Sequence, residues 1–173
     1  AQITLPYGKV LGLGGEFYCG LDVQGEEGRS VFAATSGGVV AVETKSGYGK
    51  IVYINSIEGD IQTRYAHLYS SEEENLSWNV MVKAGDKVLA GQQIGTIGSS
   101  GDTEGGNVFH FEVLKAVDGQ PCSVDGTNLE QVNPLQYLTY IIPADLSYLS
   151  EPFAIGVVPE DILGAYTDNA VSE

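Results

Sequence analysis

Glycine punctuates this chain too often for helices to be its framework. Twenty-three of the 173 residues are Gly, a residue that costs about 1 kcal/mol relative to Ala inside a helix and that marks turns and bulges. Between the glycines lie short runs rich in Val, Ile, Thr and Tyr, side chains that suit a pleated, half-buried surface. Strand-like runs are read at Val31–Ala34, Val39–Thr44, Lys50–Ser56, Ile61–Leu68, Val80–Lys83, Lys87–Leu89, Gln93–Ile97 and Val108–Lys115, and the separators are rich in Gly, Ser and Asp. In Thr63–Leu68 a period of two places Tyr65 and His67 on one face. No segment has a persuasive helical period. The one short helix expected lies near Asn133–Leu138, where Asn133 caps and Pro134 takes the first turn. The fold class expected is all-β with short strands.

The length suits one domain with a real core. Residues 1–140 carry the strand pattern. The segment 141–173 has three prolines and no clear alternation, and is read as a C-terminal extension. Ser70–Asn79 and Ala116–Gln131 read as polar loops, the first containing Ser-Glu-Glu-Glu-Asn. The formal net charge is −15, which excludes ordinary nucleic-acid binding, since phosphates require Lys and Arg. It also disfavours anionic membrane surfaces and anionic wall polymers unless a cation bridges them. Cys19 and Cys122 are compatible either with a disulfide or with two free thiols. No stretch reaches the ~18 apolar residues of a membrane span, and no signal peptide is visible. The first residue is Ala, which fits a piece excised from a longer protein whose signal or anchor lay upstream.

The stretch Val82–Gly95, Val-Lys-Ala-Gly-Asp-Lys-Val-Leu-Ala-Gly-Gln-Gln-Ile-Gly, is a Gly-punctuated hairpin. Lipoyl and biotinyl carriers use a similar phrase, but they present a modifiable Lys at a Met-Lys-Met or Asp-Lys-Ala tip, and neither occurs here. The surrounding order is more specific. Gly20-Leu21-Asp22-Val23 is followed by Val31-Phe32-Ala33-Ala34, Gly38-Val39-Val40, Gly47-Tyr48-Gly49 and Tyr65-Ala66-His67-Leu68. After the hairpin come Gly98-Ser99-Ser100-Gly101, His110-Phe111-Glu112-Val113 and Asn133-Pro134-Leu135. This ordered set, over roughly residues 10 to 138, resembles the lysostaphin/LytM-type zinc metalloendopeptidases, which cut peptide cross-links of bacterial peptidoglycan. The resemblance implies antiparallel sheets around a glycine-rich, barrel-sandwich-like core with little helix.

It also implies a set of site residues. Active members hold zinc with a His and an Asp of a His-x-x-x-Asp phrase and with the second His of a His-x-His phrase, leaving the fourth position to water. The first His of His-x-His and a lone His in Tyr-Ala-His-Leu flank that water and handle protons. In this chain Asp22 and His110 match two metal positions and His67 matches the lone catalytic His. Tyr18 stands where the third metal ligand belongs, and Val108 stands where the partner of His67 belongs. The chain has two histidines in all, so no other can substitute. Disturbing even the residue that orients a metal ligand typically costs ~10–100-fold, and losing a general acid or base removes ~10²–10⁴-fold from a rate.

The resemblance therefore implies a degenerate, non-catalytic domain that serves as a cell-envelope binding or interaction module and needs no cofactor. The partner class it implies is an envelope protein or a peptidoglycan peptide, outside the cell or facing the envelope, with any membrane anchor in a segment missing from this chain. The alternative is an active zinc endopeptidase with an altered ligand set. Tyr18 is either a ligand, whose free phenol, with a pKa of ~10, must be deprotonated by the metal, or, the preferred reading, an aromatic that plugs the former metal cavity with its hydroxyl on Asp22. A third reading is a purely structural domain of a larger surface protein.

Overall fold

The computed structural model describes residues 2–5, 7, 10–11, 16–17, 19–73, 76–123 and 125–136. Tyr18 and the proposed extension 141–173 lie outside the described residues. Twelve strands are present among those described: β1 (Gln2–Leu5), β2 (Val10–Leu11), β3 (Glu16–Phe17), β4 (Leu21–Gln24), β5 (Ser30–Phe32), β6 (Gly37–Lys45), β7 (Gly49–Ser56), β8 (Ile61–Leu68), β9 (Lys87–Val88), β10 (Gln93–Thr96), β11 (Val108–Ala116) and β12 (Leu129–Val132). One sheet runs in the order β1-β4-β11-β8-β7-β6-β9, and β12 pairs with β11 outside that path. Every pairing is antiparallel. Two small ladders, β5 with β10 and β2 with β3, complete the pattern.

Alternation decides which face is core. On β11, Phe109, Phe111 and Val113 are buried on one side, where they join Val23, Val52, Ile54, Tyr65 and Leu68 from neighbouring strands. The β5–β10 ladder closes over this face with Val31, Ile94 and the nearby Ala33, Val88 and Ile97. The result is two packed layers around one apolar interior, each fully buried Val, Leu, Ile or Phe contributing roughly 1.5–3 kcal/mol before entropy is counted. The opposite face of the large sheet is half apolar. Ile51, Tyr53 and Ala66 pack there with Val40, Ala41 and Tyr48, and they floor the polar groups of the site.

Three local readings are corrected. Val80–Lys83 is not a strand: Met81 makes one backbone bond to Ile94 (2.9 Å) and Val82 buries its side chain without a ladder. Inside the segment read as a loop, Leu129–Val132 pairs with Val113–Ala116, because β11 runs on beyond β4 and leaves its edge open to a partner. The expected short helix is a single 3₁₀ turn, Pro134–Gln136. A fourth correction concerns His67. Its φ is +56°, so the alternation of β8 breaks at that residue. Tyr65 points into the core, whereas His67 turns toward His110 on the other face. No disulfide joins Cys19 to Cys122.

Candidate functional site

The site begins with register. His110 on β11 lies opposite Asp22 of β4 on one side and Ala66 of β8 on the other. Directly opposed residues share a face with their Cβ atoms ~4.5–5.5 Å apart, so Asp22 and His110 meet across the strands. Ala66 leaves room for the imidazole. Gly20 does the same from the start of β4, since a Cβ there would stand 2.6 Å from His110 Cε1. Two residues along β11, Glu112 takes the same face and lies opposite Arg64.

These side chains form one buried network. His110 Nδ1 lies 2.7 Å from Asp22 Oδ1, and His110 Nε2 lies 2.9 Å from Glu112 Oε1. An ionised carboxylate only accepts hydrogen bonds, so both ring nitrogens donate and His110 is an imidazolium. Glu112 is 1% exposed. It accepts further bonds from the Tyr48 hydroxyl (3.0 Å) and the Gln131 amide (3.1 Å), and the Arg64 guanidinium stands 3.7 Å away. Burial alone would lower the pKa of His110, but the hydrogen bonds to Asp22 and Glu112 outweigh it and raise the group to about 9. Burial is the largest single influence on Glu112 and would raise it, but the hydrogen bond and charge of His110, with Gln131 and Arg64, together outweigh it and hold the carboxyl below its ordinary range. Tyr48 is pushed up to about 12 by burial and by the Glu112 charge.

His67 sits at the rim of this network, its ring centroid 5.9 Å from that of His110. Its Nδ1 is 2.8 Å from the Ser100 carbonyl, so Nδ1 donates and Nε2 carries the lone pair. Burial lowers its pKa, which keeps the ring neutral near pH 7. Ser100 is fixed in turn: its hydroxyl donates to Leu68 O (2.6 Å) and accepts from Lys50 N (2.9 Å). Val108, opposite Gln24 and bridged to Gly98, offers neither lone pair nor proton.

The structure thus brings Asp22, His110 and His67 together, with Val108 beside them on the same strand face. Sequence reasoning missed Glu112, Tyr48, Arg64 and Gln131. For Glu112 the signal was present: it stands two residues after His110 in a strand, and period two puts both on one face. Tyr48, Arg64 and Gln131 come from other strands and turns, and only their cross-strand register reveals them.

As a hydrogen-bonded pair, Asp22 and His110 stand closer together than two ligands of one tetrahedral zinc. Nitrogen and oxygen ligands at ~2.0–2.2 Å from such an ion stand about 3.4 Å apart, whereas Nδ1 of His110 and Oδ1 of Asp22 are 2.7 Å apart. Zinc also requires the imidazole to surrender a proton that Asp22 and Glu112 hold in place. Among the described residues no group of three or more His, Cys, Asp or Glu is arranged to hold a metal, and no helix is long and apolar enough to cross a membrane.

Residues 16–133 match the model of peptidase family M23. The murein hydrolase activator NlpD of Escherichia coli is 31% identical over 120 residues, which cover 69% of this chain and 25% of that protein. The matched segment spans about a quarter of the length of curated relatives such as this one. Among solved structures, the catalytic domain of lysostaphin, an antimicrobial peptidase from Staphylococcus simulans, superposes with a TM-score of 0.59 at 27% identity, covering 77% of this chain and 90% of that one. LytU superposes with a TM-score of 0.60 at 25% identity, covering 77% and 82%.

Proposed function

The chain belongs to peptidase family M23, and from that premise we propose that it is a non-catalytic member, a cell-envelope interaction module built on the peptidase fold. The observation that carries this reading is the closed Asp22–His110–Glu112 network. An imidazolium stands at a matched ligand position, its two N–H groups each given to a carboxylate. His67 keeps a proton-accepting nitrogen, but Val108 supplies no second group to share the work. Removal of one such group alone costs ~10²–10⁴-fold in rate.

The relatives support the same reading. NlpD is described as a murein hydrolase activator, and its matching segment is similar to this chain. We assign the module to a partner of the same setting, an envelope protein or a peptidoglycan peptide, facing the envelope or outside the cell, with residues 1–140 as the binding domain and 141–173 as an extension. The strong negative charge favours a basic protein surface over an anionic polymer.

Metal content after purification with zinc, together with a cross-link cleavage assay and co-sedimentation with peptidoglycan sacculi, tests the proposal. The expected outcome is a zinc:protein ratio near zero, no cleavage, and retention on sacculi or on an envelope protein. A ratio near one with chelator-sensitive cleavage overturns it and means that Tyr18, water or a partner completes the site. Restoring the site with Tyr18→His and Val108→His is expected to raise zinc occupancy toward one.

A further inference from the structure

On the same sheet face, beyond Glu112, lies a cavity of about 500 Å³ lined by Glu43, Lys45, Tyr53, Arg64, Ser123 and Asp125 among others. Its size falls in the range of small-molecule sites, ~300–1,000 Å³. Its charge is unusual for this chain. The protein carries 8 Lys and Arg against 23 Asp and Glu, yet two of those cations, Lys45 and Arg64, line this one cavity together with two carboxylates. Its lining carries two cations and two carboxylates, and Arg64 also faces the buried Glu112 at 3.7 Å.

The charged groups are also held in place before any ligand arrives. Arg64 Nε donates to Gln62 Oε1 (2.9 Å), and its guanidinium lies 5.0 Å from the centroid of the Tyr53 ring. Tyr53 in turn donates its hydroxyl to Glu43 (2.7 Å). Lys45 stands 5.2 Å over the Tyr48 ring and makes no ion pair among the described residues. Asp125 is fixed by the backbone N–H and the hydroxyl of Thr127 at 3.1 and 2.9 Å. Groups pre-oriented in this way lose little freedom on binding.

We propose that this cavity is a binding site for a small zwitterion of the amino-acid class, its carboxylate taken by Lys45 and Arg64 and its ammonium by Glu43 and Asp125, with Tyr53 as the floor. A dianion meets two fixed carboxylates there, and a dication meets two fixed cations. Only a ligand that carries both signs satisfies all four groups. A free amino acid and the two ends of a very short peptide share this chemistry. The proposal rests on the interaction-module reading, for which it names the ligand class.

The test is a titration of the ¹⁵N-labelled protein by NMR with alanine, alanyl-alanine, N-acetyl-alanyl-alanine and alanyl-alanine amide. The zwitterions are expected to shift the Tyr53, Arg64 and Ser123 amides, while each blocked peptide binds roughly tenfold more weakly or worse. Saturation by alanine alone identifies a free amino acid; saturation by the dipeptide alone identifies a peptide. Lys45→Gln and Asp125→Asn, both at exposed positions, are each expected to weaken the zwitterion roughly fivefold with the fold intact. Equal binding of blocked and unblocked peptides, or no shift with any of the four, overturns the inference. Retention on sacculi without a dipeptide effect leaves the interaction-module reading standing and removes this one. A dipeptide effect without retention on sacculi or on an envelope protein does the reverse.

Discussion

A carboxylate as buried as Glu112 destabilises a protein by several kcal/mol unless charge and hydrogen bonds compensate. Here His110, Tyr48, Gln131 and Arg64 all converge on it. Glu112→Gln keeps the volume but leaves a buried imidazolium short of one counter-charge. It is expected to lower the unfolding free energy by about 2–4 kcal/mol, measured by urea denaturation near pH 6. The His110 pKa adds a pH dependence with a definite sign. A histidine raised from 6.5 to about 9 contributes stability that is fully present below pH 6.5 and is lost as pH climbs through 9. Glu112 works at the acid end: its carboxyl is depressed, so its contribution is present above pH 4.5 and lost as pH falls through the native value. His67, whose pKa is lowered, acts against His110 only below pH 6.5. Denaturation at pH 6.5 and at pH 9 should therefore differ by up to ~3 kcal/mol, and an equal midpoint at the two values contradicts the imidazolium. At this scale the sequence told part of the story. Asp22, His67 and His110 were legible because they stand at matched positions, but nothing local showed that His110 would be clasped between two acids.

The element that holds His67 in its unusual backbone conformation is the contact between the start of β7 and the loop 98–101. Gly49 has φ +64°, and a Cβ there would lie 2.3 Å from the Ser100 carbonyl carbon. Ser100 accepts the His67 ring proton, so the glycine pair Gly49 and Gly101 sets where that ring sits. Gly49→Ala is expected to destabilise the domain by clearly more than Gly105→Ala. Gly105 has a similar φ of +81° but open space around it, so its substitution carries only the ~1–2 kcal/mol of left-handed strain. Thermal melts of the two variants decide this, and equal melting temperatures sink the packing argument. Such contacts explain which strands could be read in advance. Ile61–Leu68 was legible because its pattern is local. Val80–Lys83 has similar residues, but beside β10 it makes the one bond from Met81 to Ile94 and no ladder. Leu129–Val132 looks polar because Glu130 is exposed while Gln131 turns to the other face and serves the buried Glu112, and only the free end of β11 makes it a strand. His67 escaped the period-two reading for the same reason: a tertiary contact, not its neighbours, sets its φ.

At the scale of the whole molecule, charge is the property that most restricts the partner. At −15 the domain repels anionic polymers and steers toward cationic surfaces, and both effects fade as salt shortens the Debye length from ~10 Å at 0.1 M to ~3 Å at 1 M. The two partner classes therefore separate by the sign of their salt dependence. Binding to a basic envelope protein is expected to weaken by roughly tenfold or more between 0.1 and 1 M NaCl, mostly through a slower association rate. Binding to an anionic wall polymer should strengthen over the same range as repulsion is screened. The zwitterion cavity behaves as neither, since its ligand carries no net charge, so occupancy by alanyl-alanine should change little. Surface plasmon resonance across that salt range measures all three. Loss of dipeptide binding in parallel with loss of the protein partner would mean that the cavity and the acidic surface form one continuous interface, and a dipeptide affinity that holds steady while the partner's falls would mean that they are recognised separately.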